Sequence, residues 1–324
     1  MPKEIYENIY LNEIDLPNNP LKYLNSYIII AENKTLIIDT GFNRPECQES
    51  FYNGIEKLNI DLTKTDILVT HLHSDHCGLI NELEQKGANI LLGAIEAQAI
   101  LALDTAEYWE TFSENAKMFD LTKFSVEISD HPGYKFRPKK IANYQLLHAG
   151  DTYKIGNYNF QVMLIPGHTK GHIALYEPKH KLLFSSDLIL DKITATITFW
   201  DFEQDILQVY FDTLKKVELL DINLVLTGHR SLITDHKQRI AELIDHHQKR
   251  LTEIKDILTA GGEQSVADVA GKMTWDIKAK SWADFPKAQK WFATGEAMAH
   301  LEHLYCMQQI NRTQKDGKLL YNIK

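Results

Sequence analysis

The sequence of 324 residues has only three cysteines, Cys47, Cys77 and Cys306. Their odd number and wide spacing argue against a disulfide framework and suit a reducing compartment. Long apolar runs are also missing, and none approaches the roughly eighteen residues that a membrane span requires. The N-terminal stretch "MPKEIYENIYLNEIDL" lacks the cationic start, continuous apolar segment and small-residue cleavage site of a secretory signal. The expectation is a cytoplasmic protein without a membrane partner. Net positive charge is absent too: 35 Lys and Arg stand against 44 Asp and Glu, giving −9 at pH 7. Such a chain repels phosphate backbones on average, which favours small substrates over nucleic acid. Low-complexity sequence and strong repeats are absent.

At this length, with 44% hydrophobic and 24% charged residues, the chain can bury a substantial core in one large domain with an appendage or in two modest domains. β-rich segments come first: "NIYLNEIDL", "NSYIIIAE" and "TLIIDTG", with Asn33 and Lys34 turning between the last two. "PECQESFYNGIEKLNI" has helical spacing and leads into the apolar strand "TDILVT". Between about Leu92 and Leu147 the pattern changes. "AIEAQAILALDTAEYWETFSENAKMF" reads as helix and "SDHPGYKFRPKK" as loop, which together look like an insertion over about 95–147. Strands return in "YNFQVMLIPGHTKGH", "IALYEP" and "KLLFSSD". A helix with Ile206, Tyr210, Leu214 and Val217 on one face then precedes the strand "INLVLTGHR". A long helix, "HKQRIAELIDHHQKRLTEIKDILTAGG", is stopped by Gly261 and Gly262. The tail reads helix, helix and hairpin, with its turn at Asp316 and Gly317, the pattern of a small winged-helix module.

The chemistry concentrates in "DILVTHLHSDHCGLI", residues 66–80, where three histidines and an aspartate fall within six positions after an apolar run. In extended backbone, residues i and i+2 project to the same side, so His71 and His73 can aim two imidazoles at one point. Asp75 and His76 follow where the chain turns into a helix, and they can face a second point nearby. Taken alone, these could be the polar residues of an exposed turn. Three further strand ends weigh against that: His168 in "IPGHTKGH", Asp187 in "LLFSSD" and His229 in "VLTGHR". Each lies just beyond an apolar run, so strands of one sheet would deliver them to the same edge.

With "IIDTG", "THLHSDHCG", "PGHTKGH", "SSD" and "TGH" in this order over residues 37–229, the sequence resembles the metallo-β-lactamase-fold hydrolases. The resemblance implies an α/β fold, an αββα sandwich with a dinuclear site at one edge. It implies that His71, His73 and His168 hold one metal, that Asp75, His76 and His229 hold a second, and that Asp187 bridges them. Zinc suits these ligands; iron and manganese accept similar sets. Two cations about 3.5–4 Å apart lower the pKa of a shared water enough to supply a bridging hydroxide near neutral pH. Asp75 is the candidate catalytic residue, orienting that hydroxide or taking its proton. The resemblance also implies that Asp39 supports the site without binding metal, and His172 reads as reinforcing its loop by hydrogen bonding.

The tail resembles the subgroup related to the mammalian lactamase-β-like protein 2, in which a winged-helix-like module follows the catalytic domain. The expected division is a catalytic domain over 1–235 and a linking helix with that module over 236–324. Tyr108, Trp109, Phe112 and Phe119 read either as core or as the lining of a substrate pocket. Cys77 follows a complete ligand set and reads as buried. His246, His247, His300 and His303 read as packing or surface residues.

Three function classes remain. The first is a hydrolase of a small ester, thioester or lactone. The second is an endoribonuclease or other phosphodiesterase acting on single-stranded nucleic acid, with backbone contacts from the tail. Residues 260–324 carry nine Lys and Arg against seven Asp and Glu, a poor phosphate-binding balance. The third is a non-catalytic protein with a structural metal, which seven ligands for two ions disfavour. The module reads as a packing element or as a means of homodimer formation.

Overall fold

Runs of β-branched and leucine residues set the first layer. The computed structural model describes residues 1 to 324. Seven strands, β1 (Lys3–Tyr6), β2 (Ile9–Asp15), β3 (Tyr23–Ile30), β4 (Thr35–Ile38), β5 (Thr65–Val69), β6 (Asn89–Gly93) and β7 (Gln145–Leu147), form one sheet in sequence order. The first four pair antiparallel, and β4 through β7 pair parallel. A second sheet has the order β12-β11-β10-β9-β8, from β8 (Thr152–Ile155), β9 (Tyr158–Leu164), β10 (Ile173–Glu177), β11 (Leu182–Ser186) and β12 (Leu224–Thr227).

The sheets pack face to face. Ile29, Ile38, Leu68 and Leu91 from the first meet Phe160, Val162, Leu175 and Phe184 from the second in one core. Tyr27 and Phe160 meet Phe184 edge-on, with ring centroids 5.2 and 5.5 Å away. Burying each such side chain stabilises by about 1.5–3 kcal/mol. Every residue of β5, β10 and β11 is buried, so these strands are covered on both faces. This is the layered α/β architecture expected.

The chain divides into two compact units. One comprises residues 1–105, 136–195 and 218–239 and holds both sheets. Its helices are α1 (Pro45–Lys57), α2 (Ser74–Cys77), α3 (Ile80–Gln85) and α4 (Ala97–Ala102). The other comprises residues 106–135, 196–217 and 240–324. It contains α5 (Ala106–Met118), α6 (Pro132–Lys135), α7 (Ile206–Glu218), α8 (His236–Gly261), α9 (Val266–Lys272) and α10 (Lys287–Cys306). The last passage between units falls at residue 239, within the first turn of α8.

In the second unit, β13 (Gln264–Ser265), β14 (Ile310–Lys315) and β15 (Lys318–Ile323) form an antiparallel sheet in the order β13-β15-β14. Asp316 and Gly317 both have positive φ, 51° and 76°, as the two-residue hairpin turn requires. Two sequence expectations differ in detail. The single helix expected from "AIEAQAILALDTAEYWETFSENAKMF" is broken between Ala102 and Ala106, where Thr105 folds back onto the Ala102 carbonyl. Gln145–Leu147, within the expected insertion, forms the edge strand β7. No helix is long and apolar enough to cross a membrane.

Candidate metal centre

Strand direction gathers the ligand candidates. β4 and β5 run parallel, so Asp39 and Thr70–His71 leave the first sheet at one edge. β11 and β12 are also parallel, and β9 shares their direction because both β9 and β11 are antiparallel to β10. The segments bearing His168, Asp187 and His229 therefore leave the second sheet together. Buried bonds join the two edges. Asn25 N donates to the Gly228 carbonyl (2.7 Å), Tyr27 Oη to the Thr227 carbonyl (2.6 Å), and Ile173 N to the Thr70 carbonyl (3.0 Å).

All seven expected ligands meet there. His71 Nε2 and His73 Nδ1 are 3.1 Å apart and form one group with His168; Asp75, His76 and His229 form another. Within each group the ligand atoms all lie within 4.8 Å of one another. His229 Nε2 is 3.4 Å from Asp75 Oδ2. Asp187 Oδ2 is 3.5 Å from both His76 Nε2 and His229 Nε2 and 3.7 Å from His168 Nε2, so it adjoins both groups.

The geometry fits divalent ions. Donors at about 2.0–2.1 Å in tetrahedral geometry lie roughly 3.3 Å apart, close to these spacings. His76 Nε2, His229 Nε2 and Asp187 Oδ1 are buried and make no hydrogen bond within the chain. Each such atom costs about 1–3 kcal/mol unless something else satisfies it. Gly228 permits the close approach: a Cβ there would lie 2.2 Å from Asp187 Oδ1 and 3.1 Å from His76 Cε1.

Burial and charge act in opposition on these groups. Burial, reinforced by His76, holds His71 well below the usual imidazole pKa, and burial with His168 does the same for His73. These rings are neutral and ready to donate lone pairs. Burial alone would also lower His76, but Asp187, Asp39 and Asp75 outweigh it and raise it well above the usual value. His229 is raised against burial by Asp187 and Asp75. Burial would raise Asp75, yet His76 and His229 bring it down to about 2; His229 and His76 hold Asp187 well below the carboxylate range against the same penalty.

Asp39 organises the supporting layer. Its Oδ2 accepts from His76 Nδ1 (2.8 Å), Thr70 Oγ1 (2.8 Å) and Ser186 Oγ (3.2 Å), and Oδ1 accepts from Thr70 N (2.9 Å). A proton fixed on His76 Nδ1 makes Nε2 the nitrogen that faces the other ligands and that gives up its proton when a metal binds. The Tyr23 carbonyl does the same for His229, accepting from Nδ1 at 2.7 Å. Thr70 Oγ1 is 3.0 Å from His71 Nδ1. His172 is buried beside His71, ring centroids 4.6 Å apart, but neither of its ring nitrogens makes a hydrogen bond. Its contribution to the loop is packing together with its backbone carbonyl, which accepts from Ile165 N at 2.8 Å.

Thr70, Ser186, the Tyr23 carbonyl and Glu96 were not singled out by sequence reasoning. Thr70 and Ser186 lie inside quoted motifs, which is the signal that could have found them. Cys77 donates to the Leu72 carbonyl (3.3 Å), and burial pushes its thiol pKa well up, so it is not a thiolate ligand.

The four aromatic candidates lie in the second unit and separate into two clusters. Tyr108, Trp109 and Phe112 pack together, with Trp109 and Phe112 also against His131. Phe119 instead meets Phe199 edge-on. In the same unit, His247 Nδ1 lies 3.0 Å from His300 Nε2, and His303 Nδ1 lies 2.8 Å from Asp205 Oδ2.

The sequence pattern of the metallo-beta-lactamase superfamily matches residues 21–229. Hydroxyacylglutathione hydrolase GloC of Haemophilus influenzae is 27% identical over 206 residues, spanning 63% of this chain and 83% of that protein. Acyl-coenzyme A thioesterase MBLAC2 of Homo sapiens is 26% identical over 218 residues, spanning 63% and 72%. A crystal structure of a metallo-beta-lactamase family protein from Thermus thermophilus matches with a TM-score of 0.84 at 22% identity, covering 99% of this chain and 100% of that one. The superfamily match takes in the whole stretch from Asp39 to His229 that supplies the buried cluster, and the chain belongs to the metallo-beta-lactamase superfamily.

Proposed function

We propose that the protein is a dinuclear metal-dependent hydrolase of a small ester, thioester or lactone, with a thioester as the first candidate. The observation that carries this reading is the convergence of six nitrogen and carboxylate ligands in two groups with Asp187 adjoining both, while buried His76 Nε2, His229 Nε2 and Asp187 Oδ1 make no hydrogen bond within the chain. His71, His73 and His168 would hold one ion, Asp75, His76 and His229 the other, and Asp187 would lie between them. Zinc is the first candidate, with iron and manganese as alternatives. Such ions, when bound, activate a water near neutral pH and polarise the carbonyl under attack.

The chain's own residues orient and exclude. Asp75, with its pKa at about 2, stays ionised at neutral pH and orients the attacking water as a hydrogen-bond acceptor. Taking the proton of that water is its alternative role. Asp39 and the Tyr23 carbonyl fix the rings of His76 and His229. A thiol of pKa about 8.5 departs as thiolate far more readily than an alcohol departs as alkoxide, which makes a thioester the first candidate. The names of two relatives, a hydroxyacylglutathione hydrolase and an acyl-coenzyme A thioesterase, point the same way. The acidic balance supports a small substrate, and three widely spaced cysteines suit a cytoplasmic setting. In this proposal the catalytic domain lies within residues 1–235, of which 106–135 and 196–217 belong to the second compact unit, and the tail after the linking helix is a winged-helix-like module used for packing or dimerisation.

The test is a screen of acyl-glutathione and acyl-coenzyme A thioesters, lactones and single-stranded RNA, with wild type beside His71→Ala. Thioester cleavage that a chelator and the substitution both abolish is the expected result. Full activity in metal-free protein, or RNA cleavage alone that disappears in His71→Ala, would overturn the proposal.

A further inference from the structure

We propose that Glu96 is a positioning residue: it locks together the two loops that bear His71, His73 and His168 and sets the metal affinity of that group, leaving the other group unaffected. This rests on the metal reading above and assigns to it a residue outside every ligand motif. Glu96 precedes α4 and is 2% exposed. Its two carboxylate oxygens serve different loops. Oε1 accepts from Leu72 N at 3.0 Å, and Oε2 accepts from Gly171 N at 2.8 Å.

Leu72 lies between His71 and His73, and Gly171 lies between His168 and His172. One side chain therefore fixes, through main-chain amides, the separation of the two segments whose imidazoles must share an ion. Amide bonds to a carboxylate are charge-assisted and directional, so a small shift of either loop is resisted. Gly171 makes the contact achievable: a Cβ there would lie 2.6 Å from both the backbone nitrogen and Oε2 of Glu96. Only glycine lets the loop approach this closely. The polar contacts of Glu96 do not extend to Asp75, His76 or His229. His76 and His229 are oriented instead by Asp39 and the Tyr23 carbonyl.

The full-length protein, stripped of metal, is titrated with Co²⁺ by calorimetry. His73→Ala and His229→Ala identify which binding step belongs to which group. Glu96→Ala is expected to weaken the step lost in His73→Ala by about 10- to 100-fold, the usual effect of removing an outer-layer partner. The step lost in His229→Ala should stay within about twofold of wild type. Glu96→Gln keeps one acceptor oxygen and should fall between wild type and Glu96→Ala. Gly171→Ala, which disturbs the same contact from the opposite side, should weaken the same step. Thermal melts of the metal-free Glu96→Gln and Gly171→Ala proteins show whether the fold is retained. Equal weakening of both steps, or no change in either, overturns the role of Glu96. Wild type that takes up no Co²⁺ overturns the metal reading itself and this inference with it.

Discussion

Replacing Asp187 by alanine is expected to lower hydrolysis by on the order of 10³-fold or more, because several kcal/mol of charge stabilisation depend on the ion pair it would join. Metal content should fall from about two ions per chain to one or fewer. The expectation follows from position. Asp187 Oδ2 lies 3.5–3.7 Å from nitrogens of His76, His229 and His168, and so adjoins both ligand groups. Its removal also leaves His76 and His229 without the carboxylate that contributes most to raising their pKa against burial. Asp187→Asn separates charge from shape, since it retains the size of the side chain and one oxygen. Elemental analysis of the purified variant, together with kcat/KM on the best thioester, checks both expectations. A variant with two ions and wild-type kcat/KM would show that Asp187 does not bridge.

Asp39→Asn should weaken metal binding by about 10- to 100-fold, read by competition with a chromophoric chelator. Asp39 accepts four hydrogen bonds from His76, Thr70 and Ser186. Asparagine keeps one oxygen and turns an NH₂ toward a cluster of donors, so some of those donors lose their acceptor. Once His76 Nδ1–H is no longer held, the tautomer that presents Nε2 is no longer enforced. Asn is a better replacement than Ala for a backbone reason: Asp39 has φ 61°, a left-handed conformation that Asn tolerates. The expected loss therefore reports the hydrogen bonds rather than strain. With metal in excess, KM should stay near that of wild type. A variant with undiminished metal affinity would remove Asp39 from the support of the site.

The seven ligand candidates were legible because histidine and aspartate at strand ends are chemically conspicuous and the strands beneath them are plain apolar runs. Parallel pairing of β4 with β5 and of β11 with β12 then carries those ends to one edge. Other parts of the site left little trace. The Tyr23 carbonyl is backbone, and no side-chain motif encodes it. Glu96 sits in "LGAIEAQAIL", where a glutamate before a helix is ordinary, and its partners are amides far along the chain. His172 looked like a hydrogen-bonding residue because of its spacing from His168, yet it packs on His71 with both ring nitrogens unbonded. β7 is only three residues long with its first two exposed, too short for alternation to register. The aromatic residues of the insertion shared a composition but not a place, since Phe119 packs on Phe199 and the other three pack near His131.

Anomalous diffraction at the zinc edge, from crystals of the protein saturated with zinc, tests the central claim most directly. Two peaks about 3.5–4 Å apart are expected, each roughly 2.0–2.2 Å from nitrogen or carboxylate oxygen atoms of the seven residues. No peak at this edge of the sheets, or peaks held by other side chains, would contradict it.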